Sequence, residues 1–255
     1  MLDVKIKNIY LKGRGTLLSE TNFSLEPGKI FTILGSNGTG KSTLIKSLTG
    51  LLDKRFYSVE GTVIFGKEDI FSLEYASLLD IRRNKIKYVF QDSINSFDHL
   101  KKYAYYFERI AKDISESDSL LEYFLLPNSK TLFNLYPYEV SGGMAQRISF
   151  VLALLSHPQI IILDEPTSGI DSAIANLFLI KLKEFVNNSE QLNSGLKHSA
   201  LLVTHDIVFA QKISDKIAFI SNGMLSPFVD SQIFFEKGNV ESWNTYLTAG
   251  KALWG

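Results

Sequence analysis

The chain has 255 residues, enough for one large domain or two small ones, and its 45% hydrophobic content suffices for a sizeable core. Its 27 Lys and Arg residues balance 27 Asp and Glu, so whole-protein charge argues for neither a nucleic-acid partner nor an anionic surface. The lack of cysteine excludes disulfides, thiolate metal sites and cysteine-held iron–sulfur clusters, and fits a reducing cytosol.

The N-terminal stretch MLDVKIKNIYL alternates like a strand and lacks the apolar core of a signal peptide. The longest apolar run lies near Phe150–Leu155, far short of the roughly 20 residues that span a bilayer. An intracellular protein is expected, with any membrane role arising through partners. Ile30–Leu34 reads as a strand and runs into GSNGTGKST, residues 35–43, followed by a helical pattern at Leu44, Ile45, Leu48 and Leu51. Gly35, Gly40, Lys41 and Ser42 meet the pattern G-x-x-x-x-G-K-[ST] in the strand–loop–helix context that a phosphate-binding loop requires. Glycines let backbone N–H groups turn inward around phosphate oxygens, and the helix start adds the positive end of its dipole. In this reading Ser36, Asn37, Gly38, Thr39 and Thr43 complete the cradle, Lys41 reaches the β and γ phosphates, and Ser42 ligates Mg²⁺.

Further strands are expected at Val59–Phe65 and Ile86–Phe90, the second ending at Gln91. Between them Arg82, Arg83, Asn84 and Lys85 read as a solvated basic turn. Residues 92–155 read as mainly helical with a polar break at 114–119. The aromatic stretch KKYAYYFERI, 101–110, is open to two readings: a socket for a partner's helix, or the core of a helical region. At 140–147, VSGGMAQR makes Ser141 a helix N-cap with Gly142 and Gly143 exposing backbone N–H groups, a second helix start suited to phosphate. Two such starts in one chain suggest joint action, in different copies.

Ile160–Leu163 is a short continuous apolar strand, as in a parallel sheet covered on both faces. It leads into DEPTSGID, where Asp164 is placed to hold Mg²⁺ through water and Glu165 to polarise an attacking water. Residues 187–195 read as a polar loop. The strand Leu201–Val203 precedes His205, whose imidazole is suited to hydrogen-bond a γ-phosphate. A last strand is expected at Ile217–Ile220, and residues 226–255 carry no motif. Strands alternating with helices make the chain α/β.

Taken together, these motifs resemble the ATPase subunit of an ABC transporter, over about residues 1–225. GSNGTGKST resembles Walker A, VFQD at 89–92 the Q-loop, VSGGMAQR the LSGGQ signature, IIILDEP Walker B, SGID at 168–171 the D-loop, and VTHD at 203–206 the switch histidine, all in family order. KYVFQDSINSF and LYPYEVSGGMAQR further resemble the peptide and nickel importer branch, and the N-terminal stretch is most similar to nickel-type subunits.

The resemblance implies a P-loop NTPase fold: a RecA-like core with a strand-rich edge over 1–91 and 156–225, a helical subdomain over 92–155 bearing the signature, and a tail over 226–255. It implies ATP and Mg²⁺ as ligands and a head-to-tail dimer with ATP between the P-loop of one subunit and the signature of the other. Ser42, Gln91 and Asp164 would serve Mg²⁺. Glu165 and His205 would be catalytic. Ser141, Gly142, Gly143, Met144 and Asp171 would act on the partner subunit's site.

The implied partners are two transmembrane permease subunits, a second and paralogous ATPase, and, indirectly, an extracytoplasmic substrate-binding protein, with no nucleic acid. The implied place is the cytoplasmic face of the membrane, with peptides or nickel and metal chelates as cargo. An exporter ATPase and a soluble cofactor-assembly ATPase remain open as alternatives. Three departures stand out. Lys12 occupies the position where the family places an adenine-stacking aromatic, with Tyr10 nearby; Ser93 replaces a common Pro after the Q-loop; and Asp98–Leu100 replaces the usual Asn-Pro.

Overall fold

The computed structural model describes residues 1–111, 113–188 and 197–237. In chain order the elements are β1 (Leu2–Leu11), β2 (Gly15–Leu25), β3 (Ile30–Leu34), α1 (Lys41–Ser47), β4 (Tyr57–Phe65), β5 (Glu68–Asp69), α2 (Tyr75–Asn84) and β6 (Ile86–Val89). They continue with α3 (Tyr103–Ile110), α4 (Ile114–Tyr123), α5 (Ser129–Leu132), α6 (Gly142–Leu155), β7 (Ile160–Asp164) and α7 (Ser172–Asn187). The last are β8 (Ser199–Thr204), α8 (Ile207–Ile213), β9 (Lys216–Ser221), β10 (Met224–Leu225), β11 (Val229–Asp230) and α9 (Ser231–Lys237). The chain divides into two compact units, one of residues 1–79 and 201–255, the other of residues 80–200. The polar loop expected at 187–195 and the tail from 238 onward lie largely or wholly outside the described residues.

The first unit is built on strands in the order β5-β4-β1-β2-β10-β9-β3-β8. β1 lies antiparallel to both β2 and β4. Leu2, Val4 and Ile6 alternate inward, and Lys5 and Lys7 face out, as a half-buried strand should. The register slips between Ile6 and Asn8 against β4, so Ile9 also turns inward. This bulge has a steric partner. Gly61, opposite Ile6, has φ +134, and a Cβ there would stand 2.2 Å from the Lys5 carbonyl oxygen, so only glycine fits. β3 is buried along its whole length and runs parallel to β9. The β9–β10 hairpin turns on Asn222 and Gly223, both at positive φ, the signature of a tight primed turn. Leu34, Ala210, Ile217, Phe219 and Phe234 close the core beside β9.

In the second unit β6 and β7 pair in parallel, with Tyr88 opposite Ile162. α6 packs on β6, α3 and α4 pack on α6, and α5 packs on α4. Phe124, Phe150 and Phe178 meet ring to ring at 4.7–5.6 Å, at the centre of the helical packing. Each is fully buried, which contributes roughly 1.5–3 kcal/mol per side chain.

Two expectations need correction. Residues 114–119 are not a break but the first turns of α4. Asp113 caps it by accepting from the Ser115 N–H, and Ser117 and Leu121 form its buried stripe. Arg82, Arg83 and Asn84 are not a turn but the last turn of α2, where cations complement the helix dipole and Asn84 donates to Asp80. Among the described residues no helix is long and apolar enough to cross a membrane.

Gly61→Ala is expected to destabilise the protein by more than about 1 kcal/mol, read as a fall in thermal midpoint; an unchanged midpoint would show that β1 can move away from β4 at no cost.

Candidate functional site

The sequence-derived site residues fall into two sets, one in each compact unit. In the first unit the 35–40 loop joins β3 to α1. A Cβ on Gly35 would lie 2.6 Å from the Ile220 Cγ2 and 2.7 Å from the Ile220 carbonyl oxygen, so the chain leaves β3 pressed against the backbone of β9. Gly38 and Gly40 have φ of 81 and 95, the left-handed region that glycine enters without strain. Gly40 is the residue before α1, and no side-chain cap hydrogen bond closes that helix start. Lys41 is buried, and its ammonium donates to the Gly35 carbonyl at 2.8 Å and the Ser36 carbonyl at 3.0 Å. Thr39 donates to the Ser36 carbonyl, tightening the same turn.

His205 directly follows β8, the neighbour of β3, and is exposed. Asp206 beside it is half-buried and caps α8 by accepting from the Phe209 N–H. On the edge of the same unit the Lys12 ammonium donates to the Lys54 carbonyl, and Tyr10 donates to Glu60 at 3.4 Å.

The second unit holds the acidic residues. Asp164 is the last residue of β7 and is buried. The Tyr88 hydroxyl, from β6, donates to Asp164 Oδ2 at 2.7 Å. Burial first, then the Asp164 charge and this bond, push the Tyr88 phenol well above its ordinary value, so it remains a donor throughout the neutral range. Glu165 is buried with φ 49, an uncommon backbone state for a residue with a side chain. Its carbonyl accepts from the Ser168 N–H, and Gly169 at φ 75 carries the turn on to Asp171. Asp171 caps α7 through the Ile174 N–H. Ser141 caps α6 by accepting from the Met144 N–H, with Gly142 exposed at the helix start and Gly143 and Met144 half-buried. Gln91 is exposed just past β6. Ser93 is buried and donates to the Phe90 carbonyl, closing the turn in which the family's Pro would stand. Of the aromatic stretch, Tyr103 and Phe107 are wholly buried core residues, whereas Tyr105 is 36% exposed.

Residues 18–168, more than half of the chain, match the family model described as ABC transporter. The chain belongs to this family. The oligopeptide transport ATP-binding protein OppD of Haemophilus influenzae is 30% identical over 250 residues, covering 92% of this chain and 74% of that protein. The metal-staphylopine import system ATP-binding protein CntD of Staphylococcus aureus is 29% identical over 218 residues, covering 82% and 78%. The chain spans 62–78% of the length of the curated relatives it matches. The dimeric ATP-binding cassette MJ0796, solved in a post-hydrolysis state with ADP and phosphate, superposes with a TM-score of 0.74 at 24% identity, covering 91% of this chain and 99% of that one. That likeness establishes the fold as that of an ABC ATPase cassette.

The residues present suit the ligands of an ABC ATPase. The glycine loop, with left-handed backbone at Gly38 and Gly40 and the buried Lys41, has the form that suits a triphosphate. The Ser42 hydroxyl, the Gln91 amide oxygen and the Asp164 carboxylate are the hard oxygen donors that Mg²⁺ prefers. Among the described residues no cluster of three His, Asp or Glu forms a cage for a metal.

Sequence reasoning passed over two residues in contact with the acidic segment, Tyr88 and Gln146. Tyr88 offered no signal, since an aromatic residue in a strand reads as core. Gln146 did offer one: it is a polar residue on the buried face of α6, among Ala145, Ile148 and Phe150.

Tyr88→Phe keeps the ring and removes a hydrogen bond to a charged group, a bond commonly contributing about 1.5–3 kcal/mol. ATP turnover is expected to fall about tenfold, with half-saturation moved to higher Mg²⁺; phosphate release titrated against Mg²⁺ checks this, and an unchanged curve contradicts it.

Proposed function

We propose that the chain is the ATP-hydrolysing subunit of a membrane ABC importer for peptides or metal–chelate complexes. In this reading it works at the cytoplasmic face with two permease subunits, in a head-to-tail dimer whose other ATPase is a paralogue. The importer assignment is supported by the relatives, which are named for oligopeptide and metal–staphylopine transport. The RecA-like core is assigned to 1–91 and 156–225, the helical subdomain to 92–155 and the tail to 226–255.

One observation carries the dimer. Neither Gly142 nor Gly143 has a positive φ, and a Cβ on either would meet its surroundings at ordinary distances, 3.9 Å from Ile94 and 3.5 Å from Ile170. Their own fold does not require glycine. In the proposed dimer the reason for glycine is the close approach of a phosphate of nucleotide held by another copy, which an uncrowded helix start suits. Met144 and Asp171 would complete that contact.

In the mechanism, Lys41 and the N–H groups of residues 35–43 hold the β and γ phosphates and stabilise the charge that spreads over them in the transition state. Ser42, Gln91 and Asp164 would hold Mg²⁺, which supplies further neutralisation of phosphate charge. Glu165 accepts the proton of the attacking water as its oxygen bonds to the γ-phosphorus and the bond to ADP breaks. His205 hydrogen-bonds the γ-phosphate. Tyr88 fixes the Asp164 carboxylate.

Glu165→Gln is expected to leave ATP binding intact and lower turnover by about 10²–10⁴-fold, with binding followed by nucleotide titration and turnover by phosphate release. Undiminished turnover would overturn the role given to Glu165. A purified chain forming a stable and fully active homodimer with ATP would overturn the paralogous partner.

A further inference from the structure

The signature helix is tied to the residue proposed as the general base by a side chain to which no role has been given. Gln146 lies one turn into α6 and is 3% exposed. Its Nε2 donates to two successive carbonyls, that of Glu165 at 3.2 Å and that of Pro166 at 2.9 Å. The first of these carbonyls belongs to the peptide that leaves Glu165, whose backbone sits at φ 49, and the second to the next peptide along. Such a conformation is disfavoured for a residue with a side chain and persists only where the surroundings fix it. Gln146 supplies that fixing from one side, and the Ser168 N–H, donating to the Glu165 carbonyl at 3.1 Å, supplies it from the other. A second touch lies one turn earlier on α6, where the Cβ position of Gly143 is 3.5 Å from Ile170 Cγ2 and 3.8 Å from the Gly169 carbonyl oxygen. The first two turns of α6 therefore abut the 165–170 segment at both ends.

Packing alone does not call for an amide here. The buried face of α6 around Gln146 is otherwise apolar, and a side chain of equal length without polar atoms would fill the space with no desolvation cost. The amide earns its place through the two carbonyls, which are rigidly addressed only while α6 stays where it is.

We propose that Gln146 is a positioning residue that locks the backbone of Glu165 to the signature helix. A displacement of the α6 N-terminus is thereby passed to Glu165 within the same chain. The inference rests on Glu165 being the base and on the dimer proposed above. There the N-terminus of α6 serves one nucleotide and Glu165 another, so Gln146 couples the two sites: nucleotide seated on the signature of a chain sets the base that the same chain presents to its own nucleotide.

The test uses the full-length chain with its ATPase partner, and Gln146→Met, which keeps length and volume but has no amide. The expected result is a fall in kcat of about ten- to a hundredfold, with KM and nucleotide affinity within twofold of the parent and cooperativity in ATP lost. Wild-type kcat and cooperativity, or a loss of kcat matched by loss of nucleotide affinity and a lowered thermal midpoint, would overturn the proposal, the second by showing a purely structural role. Gln146→Glu gives a readout that packing does not move. A protonated carboxyl can donate to one carbonyl and an ionised one repels both, so the ratio of variant to parent rate should rise as pH falls. A pH-independent ratio counts against positioning. Glu165→Gln measured alongside separates the two ideas, because normal turnover there defeats the base assignment whatever Gln146 does.

Discussion

A phosphate held by backbone N–H groups can be approached only where no side chain stands in the way, and the conformations around Gly35, Gly38 and Gly40 follow from that constraint. Gly35 leaves β3 against the Ile220 carbonyl with no room for a methyl group. The two later glycines take up left-handed turns that bring the chain into α1 without a capping side chain. Lys41 is drawn in over the loop and donates to the Gly35 and Ser36 carbonyls. The apolar strands serve this arrangement. β3 is buried on both faces so that its end is a fixed point, and the β9 backbone against Gly35 sets where the loop begins.

The same economy governs the acidic segment, with buried hydrogen bonds in place of glycines. Asp164 is fixed by a phenol that burial keeps protonated, and Glu165 by an amide on its carbonyl. Neither Tyr88 nor Gln146 need touch nucleotide to matter. Each removes freedom from a carboxylate-bearing residue, and preorganised groups of that kind account for much of what an active site contributes to rate. A turn held in a disfavoured backbone state is well suited to respond to its neighbours, since small changes in what fixes it change its population.

Much of this was legible in the chain itself. The strand–glycine loop–helix at 30–47, the two acidic residues at the end of an apolar strand and the capped Ser-Gly-Gly helix start depend on local sequence, and local sequence carries their conformation. The strands β3, β7, β8 and β9 were legible because burial on both faces writes a continuous apolar run. What escaped depends on tertiary context. The stretch 114–119 is polar because α4 shows that face to water, and its buried positions, Ser117 and Leu121, are too few to reveal a helical period. The basic residues 82–84 read as a turn because short-range charge cannot distinguish a loop from the final turn of a helix. In 101–110 the aromatic residues divide by helical face, Tyr103 and Phe107 inward and Tyr105 half out, which no composition argument separates. Tyr88 and Gln146 gain their importance from partners 76 and 19 or 20 residues away in the chain.

Whether this ATPase drives transport through membrane partners, as proposed, is settled by what co-purifies with it. The chain would be tagged in its native host, the membranes solubilised gently, and the accompanying proteins identified together with their ATP turnover. Two permease subunits and a second, different ATPase are expected in a complex that hydrolyses ATP. Recovery from the soluble fraction alone, with full ATPase activity and no membrane protein attached, would contradict it.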